Sequence, residues 1–180
     1  MATDSLEKQL EALKEDVLKM GRLVQDQIFK ANRSLTEKNL ELAREVIAKD
    51  DLIDQMEMEI EKKCLYLVAL KQPMARDLRF IGTALRIIVD IERMGDHAEE
   101  IAAIAVDLYE QPYIKPLIDI PRMAQIAQDM VLISLEAFIA RDIPRAMSLV
   151  EMEKNIDSLY NQVFKDLLAY MIRDHDNIPQ

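Results

Sequence analysis

The sequence predicts an all-α protein made of tandem three-helix bundles, the second of them incomplete. Three observations lead there. Only three glycines and six prolines interrupt 180 residues, and Leu, Ile, Ala, Met, Glu and Lys dominate, the residues that lose least on entering a helix. Apolar residues recur every three or four positions over long stretches, the period of a helix face. The chain also repeats itself: sliding it by 103 residues lays Met20 on Met123, Asp26 on Asp129, Ala43 on Ala146, Ile53 on Ile156, Asp54 on Asp157, Lys62 on Lys165 and Leu65 on Leu168. Apolar positions match too, Ile28 with Val131 and Leu35 with Phe138, so two helices of one unit recur without a gap in another.

The first helix opens near Asp4, placed as an N-cap with Glu7 three residues on. Its stripe runs through Leu6, Leu10, Leu13, Val17, Met20, Val24, Ile28, Ala31 and Leu35. Thr36 to Asn39 breaks the pattern, and a second stripe follows through Leu40, Ala43, Val46, Ile47, Ile53, Ile60, Cys64 and Leu67 up to Lys71. Pro73 marks the next start, since proline suits a first turn and no interior. A third helix is expected over about 74–109. Pro112, Pro116 and Pro121 then form the one convincing linker. The division is therefore 1–111 for the first bundle, 112–120 for the linker and 121–180 for the first two helices of the second repeat. The fourth helix is expected from Pro121 to Ala140 and the fifth from Pro144 to Arg173. Allowing a three-residue insertion, Ile178-Pro179 falls where Gln72-Pro73 falls in the first unit. The sixth helix would open there, and its absence reads as a truncation or a naturally shortened member.

A net charge of −10 repels nucleic acid and anionic lipid, so neither is expected as the main partner. Cys64 is the single cysteine; no intramolecular disulfide can form, and a reducing compartment follows, the cytoplasm by default. The apolar runs Leu65 to Leu70 and Ile87 to Val89 fall short of the ~18 residues of a spanning helix, so no membrane span is expected. The polar start lacks the regions of a signal peptide.

Chemistry is expected where carboxylates enter the core stripes. On the second helix Asp50, Asp54, Glu57 and Glu61 share the sector of Ala43, Val46, Ile60 and Cys64. A buried carboxylate must reach solvent, pair with a cation or bind a metal. In the second copy Asp50 and Asp54 become Glu153 and Asp157, whereas Glu57 and Glu61 become Tyr160 and Phe164, so the first pair alone is kept. Glu92 and Asp96 on the third helix form a similar pair, four apart on one face. Acidic pairs are common on solvated helix faces; stripe position and repetition single these out. Four converging carboxylates suit iron, manganese, magnesium or calcium, with zinc less usual. The plain alternative is that Arg86 or Arg93 pairs with them. His97 points about 100° away from Asp96 and reads as a surface residue, and no Glu-x-x-His spacing of a di-iron oxidase is present. Cys64 and the eleven methionines read as packing.

The segment Gln72 to Ala102 resembles the signature helix of the PhoU family, in Gln72-Pro73, Arg76-Asp77-Leu78-Arg79, Asp90-Ile91-Glu92-Arg93 and Gly95-Asp96-His97-Ala98. Asp50 to Cys64 resembles its second helix. The resemblance implies two homologous three-helix bundles, a cytoplasmic protein peripheral to the inner face of the membrane, and a regulatory adaptor instead of an enzyme. Its implied partners are the phosphate ABC transporter and its sensor histidine kinase, and its implied action is to hold phosphate-starvation genes off. Some members carry metal clusters on paired acidic motifs, here Asp50/Asp54, Glu92/Asp96 and Glu153/Asp157, with iron, manganese, zinc or magnesium as the ions in question. Without a sixth helix the last pair lacks its facing ligands, and the apolar faces of the fourth and fifth helices lose their cover, which predicts a homodimer. Other readings of the same carboxylates are a metal-dependent helical enzyme, a metal-storage protein, or a purely structural spectrin-like bundle.

Overall fold

The computed structural model describes residues 2–174, with side chains from Leu6 onward, and is helical with short connections. Among the described residues the elements are α1 (Ala2–Thr36), α2 (Leu40–Lys71), α3 (Ala75–Asp107), α4 (Asp119–Ala140), α5 (Ile143–Met147) and α6 (Leu149–Arg173). The all-α expectation holds, as does the incomplete second bundle. Helix α1 is under way at Ala2, so Asp4 lies inside it and is not its N-cap. The Ile178-Pro179 pair, where a further helix was expected to open, lies outside the described residues.

Helices α1, α2 and α3 form a three-helix bundle, and the α1 stripe is its core: Leu13, Val17, Met20, Val24 and Ala31 are fully buried. Toward one end the core narrows to Ala31, Ala43, Ala98, Ala102 and Ala105 with Val46, small residues that let the three backbones approach. Pro73 acts as a terminator of α2, not as the first turn of α3. Gln72 ends α2 in the left-handed conformation, φ 48°, and α3 begins two residues past the proline.

The repeat is visible in the loops. Helix α1 closes with Lys38 at φ 51°, the Asn39 N–H donating to Ser34 O and the Lys38 N–H to Leu35 O. Asn39 then caps α2 by accepting from the N–H groups of Glu41 and Leu42, both at 3.1 Å. One repeat later Arg141 closes α4 at φ 57°, with Asp142 N–H to Ala137 O and Arg141 N–H to Phe138 O, and Asp142 accepts from Arg145 N–H at 3.0 Å. Both are the same Schellman ending followed directly by a side-chain cap.

Helix α4 lies antiparallel on α1. Gly21 faces Leu135, and Gln25 Nε2 donates to the Gln128 carbonyl at 2.8 Å. Gln25 and Gln128 are repeat equivalents, so the two units meet through corresponding helices. Val131 and Leu135 join the core of the first bundle. By length and composition α4 is the one described helix apolar enough to cross a bilayer, which the sequence reading did not recognise; in the fold it is the partner of α1.

The fifth predicted helix is two elements. At Ser148 both the backbone N–H, at 3.2 Å, and the hydroxyl, at 2.7 Å, donate to Arg145 O, three residues back. That local competition tightens the turn and separates α5 from α6. Pro144 does sit in the first turn of α5. Among the helices α6 packs on α4 and α5 and on neither α2 nor α3. None of its residues is buried: Ile156 and Val163 are half-buried where their equivalents Ile53 and Ile60 are fully enclosed.

Candidate functional site

Two acidic ladders meet where α2 and α3 come closest. Gly95 makes that approach: a Cβ there would lie 2.7 Å from Ile53 Cδ1, 3.3 Å from Ile53 Cγ2 and 3.6 Å from Asp50 Oδ1. Because the helices run antiparallel, Asp50, Asp54 and Glu57 on α2 meet Glu99, Asp96 and Glu92 on α3, and one oxygen from each of Asp50, Asp54 and Asp96 lies within 4.8 Å of the others. Asp54 Oδ1 is buried and has no hydrogen-bond partner.

The electrostatics follow. Burial, then the charges of Glu99, Asp54, Asp96 and Asp51, push the Asp50 carboxyl from 3.8 up to about 6. Glu57 is raised by burial and then by Glu61, Asp54 and Asp96. Glu92 is raised by burial and then by Asp96, Glu57, Asp54 and Asp50. Among the described residues no lysine, arginine or histidine lies within 4 Å of these carboxylates, so the pairing with Arg86 or Arg93 weighed from the sequence is not made. The site is a concentration of negative charge held together by apolar packing around it, and oxygen donors without a counter-cation are what a hard divalent ion needs.

Of the six residues marked in the sequence, Asp50, Asp54, Glu92 and Asp96 come together. Glu153 and Asp157 do not join them: both are exposed on α6, which touches neither ladder. Sequence reasoning passed over Glu57, because its repeat equivalent is Tyr160, and it missed Glu99. The signal for Glu99 was present, three residues beyond Asp96 and seven beyond Glu92 on one face. His97 is on the surface, its Nδ1 3.0 Å from Glu100, and Cys64 is buried, its thiol pushed up to about 11 by burial; both stand apart from the site as expected.

A family model described as the PhoU domain matches residues 17–105 and 120–179. The chain belongs to the PhoU family. A PhoU homolog of Aquifex aeolicus is 44% identical over 171 residues, 95% of this chain and 77% of that protein. One from Clostridium acetobutylicum is 34% identical over 181 residues, 100% of this chain and 83% of that one. Both are described as phosphate-specific transport system accessory proteins. The crystal structure of PhoU from Pseudomonas aeruginosa superposes with a TM-score of 0.90 at 32% identity, over 96% of this chain and 83% of that one. Both acidic ladders fall within the first matched segment.

Proposed function

We propose that this PhoU-family chain is an accessory protein of phosphate transport and a negative regulator of the phosphate-starvation response. It acts from the cytoplasm, at the inner face of the membrane, by engaging the phosphate ABC transporter and its sensor histidine kinase. The observation that carries the reading is family membership along nearly the whole chain, at 44% identity to a relative of that description. The test is genetic: expression in a bacterium lacking its own PhoU, with a phosphate-starvation reporter. Restored repression in high phosphate supports the reading, and a reporter that stays on sinks it.

The residues of the α2/α3 site fit a divalent cation, since Asp54 Oδ1 is buried without a partner and no cation neutralises the cluster. Asp50, Asp54 and Asp96 would hold it, with Glu92 beside them. Such an ion would supply the missing positive charge and tie α2 to α3. Glu153 and Asp157 lie apart from this site, on α6. Elemental analysis of protein purified without chelator or affinity-tag metal tests this: stoichiometric iron, manganese, zinc or magnesium in wild type, lost in the Asp54→Asn/Asp96→Asn double variant, is expected. Equal trace metal in both reduces the cluster to solvated charge. A homodimer through the α4/α6 face completes the proposal.

A further inference from the structure

The start of α3 and the end of α4 enclose an open cleft of about 270 Å3 that the adaptor and metal readings leave unused. Arg76, Arg79, Phe80, Thr83, Phe138 and Arg141 line it. Its floor is the Phe80–Phe138 pair, stacked with ring centroids 4.9 Å apart. Its rim is three guanidinium groups and no carboxylate, in a chain of net charge −10. None of the three has an acidic partner within 4 Å among the described residues. The adjoining cavity, which shares Arg76, Phe80 and Arg141, does hold acids, namely Glu7, Glu11 and Asp77, and there Glu11 pairs with Lys14 at 2.6 Å. The acids of that neighbouring cavity come from α1 and from Asp77 of α3, whereas the lining of the cleft itself carries arginines and no carboxylate.

Two local rules are broken at this cleft. Arg76 sits in the first turn of α3, where the free N–H groups already present positive charge and a cation is disfavoured. Arg141 holds φ 57°, a conformation that glycine or asparagine ordinarily supplies. Its repeat equivalent Lys38 shares the conformation, but the Lys38 ammonium donates to the carbonyls of Tyr109 and Gln111 and lies over the Tyr113 ring. Arg141 has no such carbonyls among the described residues. The Arg141 backbone is held by its Schellman hydrogen bonds, but its guanidinium and those of Arg76 and Arg79 have no acidic partner among the described residues, and cations gathered in this way mark a place where a ligand can supply the opposite charge.

We propose that this cleft binds an oxyanion, a carboxylate or phosphate group gripped by Arg76, Arg79 and Arg141 above the Phe80–Phe138 floor. The planar fork of each guanidinium presents paired N–H donors that match two oxygens of such a group. The phenylalanine floor shuts water out from one side and strengthens the attraction. Inorganic phosphate and an acidic side chain of a partner segment share this chemistry.

Isothermal titration of the full chain with inorganic phosphate, and separately with a glutamate-rich hexapeptide, at low salt, tests the site and distinguishes the sources. The variants are Arg76→Gln/Arg79→Gln and Arg141→Gly. The glycine suits the left-handed position, so it keeps or raises the Tm while removing a guanidinium. Binding of phosphate assigns the site to the free anion, and binding of the peptide alone assigns it to a partner segment. In either case Arg141→Gly should weaken the binding about tenfold, and the double variant should remove it. Absence of binding by both probes to the wild type, or equal affinity in wild type and both variants, overturns the proposal.

Discussion

At Asp50 the folded chain holds a proton more tightly than the unfolded chain does, because burial and the neighbouring carboxylates raise its carboxyl to about 6 from 3.8. Stability contributed by that proton is therefore lost as pH rises from about 4 to about 6 and stays lost above it. Glu45 works in the opposite sense: the ammonium groups of Lys30 and Lys49 hold it down at about 2, so its contribution is present above pH 4.5 and disappears in acid. Between pH 5 and 7 the Asp50 effect stands alone of the two. With chelator present, the wild type should be more stable at pH 5 than at pH 7 by about 1–2 kcal/mol, allowing for partial exposure. Asp50→Asn should shrink that difference, leaving the smaller share of Glu57 and Glu92, which are raised in the same sense, and should raise stability at pH 7; urea midpoints at the two pH values measure both. The same scale decides the role of Gly95. Alanine there gains helix propensity of up to about 1 kcal/mol, but its Cβ would meet Ile53 Cδ1 at 2.7 Å in a fully buried contact. A net loss of about 1–2 kcal/mol is expected for Gly95→Ala. In the double variant with Ile53→Val, which lacks Cδ1, most of that loss should return, and a double-mutant cycle by urea denaturation reads the coupling.

Between elements, the α1/α4 contact depends on a second glycine. A Cβ at Gly21 would fall 2.0 Å from Leu135 Cδ1, so Gly21→Ala should push α4 outward and lower the Tm, while Gly21→Ala with Leu135→Ala should lower it by less than the two single losses added. Additive losses would mean that α4 is not seated there. Neither glycine announced itself in the sequence, because a helical pattern shows which face is apolar and not how closely a neighbour approaches it. The long helices were legible for the converse reason. Leu10 to Ala31 on α1 and Ala43 to Leu67 on α2 keep one apolar face over many turns, and Pro73 and the prolines of the linker punctuate them. The break at Ser148 was hidden, since it lies inside an unbroken pattern and comes from one hydroxyl competing for one carbonyl. The candidate site was legible in part: Asp50, Asp54, Glu92 and Asp96 stood out by intruding on core stripes. Glu57 was obscured because the repeat, used as a filter, discards whatever the two copies do not share; Glu99 was passed over because the Glu92/Asp96 pair was read at a spacing of four, which stops short of it.

For the whole molecule, the 103-residue repeat makes the two units comparable residue by residue, and among the described residues they differ in cover. Helix α2 is covered by α1 on one side and α3 on the other; among the described residues α6 has α4 and α5 on one side and no helix on the other. Its outer face carries Tyr160 at 58% exposure, Phe164 at 52%, Leu168 at 42% and Ile172 at 74%, with the two rings stacked at 6.3 Å. At 1.5 Å per residue the 25 residues of α6 extend about 37 Å, long enough, with the half-exposed flank of α4, to supply the ~800 Å2 per partner of a stable interface. An antiparallel pairing of two α6 helices would set Tyr160 of each copy against the region of Phe164 in the other. It would also bring the acidic beginning of one helix, Glu151 to Asp157, toward Lys165 and Arg173 of its partner, so charge and apolar surface favour the same arrangement. Sedimentation of the wild type over a hundredfold concentration range should show a dimer, and Tyr160→Glu/Phe164→Glu, which changes only exposed positions, should leave a folded monomer with an unaltered α1–α3 core. A wild type that stays monomeric throughout would overturn the dimer.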